Sequence, residues 1–500
     1  LISFYILFWM SAFRKKDIES PNPCNGYGHE LKKTHFFLYD ELVNLNHGSF
    51  GTVPKSVSNV QHQFLLEQES CPELWFREKY QEYINSSRKA IASLIKADQD
   101  DVVLVENASY AINSILRSFP FLPGDIVIHF SCAYRMVIDT LAFLSKSIGF
   151  RVISISVQYP VTGDDQILGS FAEELSKHEN VTMCIFDHIS SMPSIVFPIK
   201  ELTAMAKTKY SASGYTLNTS ASISSPVTDK RMGQQPTADD ATSPTVSSLG
   251  PADVVSSTIN TGSPTLTGTG TGTGTGTCSP TNGCLQHFCN SRARPSRCMV
   301  VIDGAHAPGV LDINLPAVGG SGGDDDALQC DIYTGNLHKW LFAPKGSAFM
   351  WTRRDKQTYL FPQPTVISSS MKYDYAGRFE YTGTRDYTAF ATIPSAFRFV
   401  DDVLGGMQAM RTYNRNLLLA GSRLLVIKWK TFYVIPERMC GFMSNIALPV
   451  KYATHMNKLQ KALMRRFNIS IVCGSVPRTI QSPNSIDHAV SQRQQQQQQQ

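Results

Sequence analysis

The chain has 500 residues, 42% of them hydrophobic and 17% charged, with a formal net charge of +5. This composition describes a globular protein with a sizeable core, which excludes a disordered or membrane-embedded chain. So weak a charge over this length argues against nucleic acid or a membrane surface as partner. Length alone sets a soft prior of about three domains. The eleven cysteines contain no CxxC pair and no His/Cys spacing suited to zinc, so no metal is expected. Cys132, Cys184, Cys298, Cys330, Cys440 and Cys473 lie in or beside apolar runs and read as reduced, buried thiols of a cytoplasmic protein.

The chain opens on an apolar run, Leu1 to Met10, followed by Arg14, Lys15 and Lys16. A bilayer span needs about 20 residues, and the charge order is wrong for a secretory signal. Met10 is read as the true start, and residues 1–37 as an N-terminal flank. A glycine-rich stretch, Asn44 to Thr52, precedes a helix expected from about Lys55, and helical spacing recurs from Trp75 to Ile95. Val102 to Val105 reads as a strand. After it, Glu106–Asn107–Ala108–Ser109 leads into a helix carrying Ala111, Ile112, Ile115 and Leu116, and free N–H groups at such a helix start make a phosphate site. As local sequence alone, the same residues are an ordinary N-cap.

Further strands are expected at Ile126–Phe130, Arg151–Ile155, Met183–Phe186, Val300–Ile302 and Ser347–Trp351, with polar residues such as Asp187 and Asp303 at strand ends. Repeated strand–loop–helix units of this kind describe a doubly wound α/β sheet, whose ligands sit at the carboxyl ends of the strands. A helix opens at Pro198. Residues 208–297 then break the pattern with Ser, Thr, Gly and Pro, including the Gly–Thr repeat Thr267–Thr277. Such a composition cannot bury enough apolar surface to offset chain entropy. It reads as a low-complexity insertion, or as translated intron, interrupting a large domain of 38–207 and 298–390. A helix over Ile393–Val403 begins a smaller C-terminal domain, 391–477, and 478–500 is a glutamine-rich tail.

Three stretches carry a resemblance: Leu45–Asn46–His47–Gly48–Ser49–Phe50–Gly51, Asp303–Gly304–Ala305–His306–Ala307–Pro308–Gly309, and Gly335–Asn336–Leu337–His338–Lys339–Trp340. In this order they resemble the class V aminotransferase-like enzymes, the fold-type I proteins that depend on pyridoxal 5'-phosphate (PLP), and within them the isopenicillin N epimerase-like branch that includes ergothioneine-pathway C–S lyases. Taken alone, Lys339 beside a tryptophan is a surface lysine and Asp303 a turn aspartate. The resemblance implies a mostly parallel, seven-stranded-type sheet with a smaller α+β domain. It makes Lys339 the catalytic Schiff-base lysine, Asp303 the partner of the pyridinium nitrogen, and Tyr134 the residue that stacks on the ring, with His306 close to it. Ala108, Ser109, Asn336, His338 and Thr384 would hold the phosphate, and Asp187 belongs to a D-H-I-x-S turn at the cofactor. Asn46 or His47 would meet the substrate. Thr384, in Gly383–Thr384–Arg385–Asp386, would act across a homodimer interface.

The C-terminus departs from this pattern. The family's R-I-S strand, whose arginine pairs with the substrate carboxylate, finds no match between Ile469 and Gln500, and truncation of the small domain is the expectation. Three outcomes stay open for an amino-acid substrate: β-elimination by a C–S lyase, which is favoured, epimerisation, or transamination. A non-catalytic product is the alternative of a different class.

Overall fold

A computed structural model describes residues 26–211, 298–316, 326–358, 360–368, 374–449, 452 and 455–475. The apolar run before Met10, the Gly–Thr repeat and the glutamine tail lie outside the described residues. Each Val/Ile-rich run forms a strand: β2 (Val102–Val105), β3 (Ile126–Phe130), β4 (Arg151–Ile155), β5 (Met183–Asp187), β6 (Met299–Asp303) and β8 (Ala348–Thr352). Ile332–Asn336, the approach to Lys339, is a further strand, β7. The seven stand in the order β2-β8-β7-β6-β5-β3-β4. β3 to β7 run parallel, and only β8 is antiparallel to its neighbours β2 and β7.

All residues of β2, β3, β5, β6, β7 and β8 are buried. Near-continuous hydrophobic runs are what a sheet covered on both faces requires. Alternate side chains divide between two cores, as a period of two demands. Leu104, Phe186 and Ile302 join one core, and Val105, Ile185 and Val301 the other.

The covering helices include α1 (Lys55–Ser70), α2 (Tyr80–Ile95), α3 (Ala108–Ser118), α4 (Arg135–Ile148), α5 (Asp164–Ser176), α6 (Ile199–Ser211), α7 (Ile393–Asp402), α8 (Met407–Trp429) and α9 (Met456–Phe467). The expected starts near Lys55, Pro198 and Ile393 hold. α2 buries Ile84, Ile91 and Ile95 at helical spacing and ends at Lys96 in the left-handed region, φ 57°. Two short strands form a separate parallel pair, β1 (Val43–Asn44) with β9 (Ile469–Ser470). This ties the approach to the glycine-rich stretch to the C-terminal region. Within the N-terminal flank, the Tyr27 hydroxyl donates to the Leu404 carbonyl at 2.6 Å and its ring stacks on Tyr413.

Candidate active site

β2, β5, β6 and β7 end at the same edge of the sheet, and their exits carry the chemistry. Asp187 and Asp303 are the last residues of β5 and β6 and are register partners across the two strands. Both are buried, at 6% and 3% exposure. The Asp303 Oδ1 accepts from the Ala305 N–H at 3.0 Å. Lys339 follows three residues after β7, and its Nζ lies 2.8 Å from His306 Nε2. Burial brings the Lys339 amine down to about 8, against the opposing pull of Asp303 and Asp187. Burial, together with the Lys339 charge, keeps His306 neutral. Its Nε2 therefore accepts from the lysine, which puts the ring proton on Nδ1. That Nδ1 is buried and has no hydrogen-bond partner among the described residues.

The lysine segment is held by close packing. His47 Nε2 is 2.7 Å from the Lys339 carbonyl, and its ring packs on Trp340 and Phe342. Burial lowers His47 to about 4, so it is the neutral donor this contact needs. Gly51 has φ +71°, and a Cβ there would stand 1.8 Å from the His338 carbonyl oxygen; one at Gly48 would meet the Trp340 ring at 2.6 Å. The glycines of the stretch thus admit the backbone of the lysine segment. Asn46 accepts from the Ser49 hydroxyl at 2.7 Å and so closes its own turn.

At the start of α3, Asn107 caps the helix by accepting from the Tyr110 N–H. The Asn336 side chain accepts from the Ala108 N–H at 2.9 Å, joining the exit of β7 to the candidate phosphate site. Ser109 stands in the helix's first turn, half-buried. His338 Nδ1 lies 3.2 Å from the Ser347 carbonyl and is kept neutral, near 4, by burial. Tyr134, at the start of α4, is 48% exposed. The geometry gathers Asp187, Asp303, His306, Lys339, His47, Asn336 and Ala108, while Thr384 is exposed and bonds Tyr381 of its own chain.

Tyr333 and Asn445 carried no signal of their own in the sequence. His188 Nδ1 is 2.7 Å from the Tyr333 hydroxyl, and both side chains are buried. Gly304 admits the Tyr333 ring, which a Cβ would meet at 2.4 Å. Asn445 grips the backbone of Ser194 in both directions and steadies the turn after Asp187. Cys132 lies beside Asp187, and burial pushes its thiol up to about 12, so it is not a thiolate nucleophile. Among the described residues no cluster of His, Cys, Asp and Glu could hold a metal ion.

The chain is 31% identical over 451 residues to the hercynylcysteine sulfoxide lyase of Schizosaccharomyces pombe, covering 89% of each protein. It belongs to the class V aminotransferase-like family of PLP-dependent enzymes. To the probable chloroplastic L-cysteine desulfhydrase of Arabidopsis thaliana it is 25% identical over 477 residues, covering 92% of this chain and 79% of that protein. To the isopenicillin N epimerase of Streptomyces clavuligerus it is 29% identical over 203 residues, covering 37% and 47%. No family model matches the chain. Among solved structures, a complex of the cystine C–S lyase C-DES with cysteine persulfide superposes with TM-score 0.58 at 13% identity, covering 89% of this chain and 96% of that one. The cysteine desulfurase of Thermococcus onnurineus NA1 does so with TM-score 0.57 at 12% identity, covering 95% and 98%. Both share the fold.

The residues of this class V member fit the cofactor. A ring nitrogen that must stay cationic needs a buried carboxylate, which Asp303 would supply, and an aldehyde needs a desolvated amine, which Lys339 would supply. The unpartnered His306 Nδ1 is a buried donor awaiting an acceptor. Among the described residues no helix is long and apolar enough to cross a membrane.

Proposed function

We propose that this PLP-dependent enzyme is a C–S lyase that removes sulfur from a cysteine conjugate or its sulfoxide by β-elimination. The observation that carries the reading is the buried Lys339 amine between His306 and the Asp187–Asp303 strand ends, in a chain so similar along its length to a sulfoxide lyase. When bound, PLP supplies an electron sink that acidifies the substrate Cα–H bond. Lys339 and Asp303 would hold its reactive and cationic ends, and Ser109, His338 and Asn336 would lie toward its phosphate.

The Lys339 amine takes the Cα proton. The electron pair of that bond becomes the Cα=Cβ double bond, and the Cβ–S pair leaves on sulfur as thiolate or sulfenate. Water converts the released aminoacrylate to pyruvate and ammonia. Burial of Nζ, in contact with a neutral His306, keeps a share of the lysine amines unprotonated near neutral pH. A desulfhydrase and a sulfoxide lyase share these steps and differ in the leaving group, so the substrate class is the sulfur-bearing amino acid.

The deciding measurement is product analysis of the PLP-loaded protein with L-cysteine, a cysteine S-conjugate and its sulfoxide. Pyruvate and a sulfur product in equal amounts support the lyase. The partial likeness to an epimerase makes racemised substrate without pyruvate the outcome that would replace it.

We further infer a homodimer and a cytoplasmic site of action. The exposed Thr384, and the exposed Phe37, Tyr39, Leu45 and Phe50 near the glycine-rich stretch, favour a partner subunit. Cys184 and Cys298 lie 3.6 Å apart as free thiols, which suits a reducing compartment. Sedimentation and cell fractionation test the two.

A further inference from the structure

The rows Met183–Ile185–Asp187 and Met299–Val301–Asp303 run side by side on β5 and β6 and line the same core. Their terminal carboxyl groups leave one sheet face from neighbouring strands, about 4.8 Å apart at the backbone. Both are buried, and the cation that acts on the two of them is Lys339. The other groups around Asp187 are neutral: burial holds the adjacent His188 near 3 and the Cys132 thiol near 12, and His306 is neutral beside Lys339. One ammonium balances one carboxylate. A second buried carboxylate without a cation costs several kcal/mol, and the site avoids that cost by keeping a proton.

We propose that Asp187 and Asp303 jointly hold one proton at neutral pH, Asp187 as the carboxylic acid and Asp303 as the carboxylate, which makes Asp187 a hydrogen-bond donor into the cofactor site. The assignment within the pair follows from their contacts. Asp303 accepts the Ala305 N–H, a bond that favours the charged form. Asp187 bears the repulsion of Asp303 on top of burial, and is held well above the usual carboxylate range. A donor at this point would face an electron-rich atom of the cofactor ring while Asp303 faces its cationic nitrogen. The two strand ends thereby distinguish two edges of one ligand. This inference rests on the PLP-site reading above, but the proton itself belongs to the chain alone.

The test uses the full chain freed of PLP and labelled with ¹³C-aspartate, observed by infrared spectroscopy at neutral pH. A protonated-carboxyl stretch that shifts with the label is expected, and it disappears in Asp187→Asn. In PLP titrations followed by the visible band, Asp187→Asn, a neutral donor of the same shape, loses less affinity than Asp303→Asn. Asp303→Asn weakens it on the order of a hundredfold. A wild-type spectrum without that stretch overturns the proposal even if the variants fail to fold, and so does a stretch that survives in Asp187→Asn or an equal loss of affinity in both variants. A chain that shows the stretch but takes up no PLP would keep the shared proton and sink the functional reading instead.

Discussion

Two buried aspartates on neighbouring strands, Asp303 at the end of β6 and Asp331 at the start of β7, differ in the charge around them. Asp331 is fully buried between two cations: Lys207 bonds it directly, Arg353 lies 3.0 Å from it, and the Val300 N–H donates at 2.7 Å. Asp303 has one backbone donor and the field of a lysine that is itself losing its proton. A buried charge surrounded by committed partners fixes β6 to β7 and to α6. One left short of partners is reactive. Opposite edges of one sheet thus do opposite work with the same residue type.

The widest separation between the edges should come from Lys339→Ala. Turnover falls more than about a thousandfold, because the proton acceptor and the cofactor anchor are lost together. The melting temperature stays level or rises, since a buried amine has been removed. Parallel activity assays and thermal melts check this, and turnover within tenfold of wild type would remove Lys339 from the chemistry. Asp303→Ala comes next, with activity reduced on the order of a hundredfold and little change in urea stability. Asp331→Asn should reverse that pattern. It costs about 3 kcal/mol in urea unfolding by removing the buried charge that Lys207 and Arg353 share, while the folded fraction keeps its turnover.

A subtler break is Gly51→Ala. The added Cβ must displace the His338 carbonyl, and the positive φ adds about 1 kcal/mol of strain. Since His338 precedes Lys339, turnover should drop about tenfold beyond what lost stability explains. Unchanged turnover in the folded protein would mean that the glycine-rich stretch does not position Lys339.

Much of this was legible in advance because the strands advertise themselves. Val102–Val105 and Ile126–Phe130 are β-branched or aromatic runs bounded by polar residues, and burial on both faces leaves no alternation to misread. The candidate site residues came by resemblance, with Lys339 and Asp303 in the family's order, and the strand ends stand these two near each other. What stayed hidden depends on contacts between distant segments. The pairing of Val43–Asn44 with Ile469–Ser470 joins two-residue strands over 400 positions apart. The antiparallel direction of β8 lies in how the chain turns after Lys339, which no side-chain pattern records. No local pattern around Tyr333 announces that Gly304 lies beneath its ring and His188 at its hydroxyl.

The smallest effect separates the two edges by pH. Burial holds His47 and His338 near 4 and His188 near 3, all below the 6.5 expected of an unfolded histidine, and all three lie at the active-site edge. In that window the unfolded chain binds more protons than the folded one. Their contribution to stability is therefore complete above about 6.5 and is lost as pH falls toward 4. Asp187 and Asp303, whose folded forms prefer the proton, oppose this on the acid side and shrink the net effect. The melting temperature should fall by several degrees between pH 6.5 and 4, at roughly 2–4 °C per kcal/mol for a domain of 150–250 residues and less for a larger one. His47→Gln, which keeps a neutral donor toward the Lys339 carbonyl, should flatten part of that slope. A wild-type melting temperature that does not change across the window would mean these histidines are solvated and the edge is more open than its packing indicates.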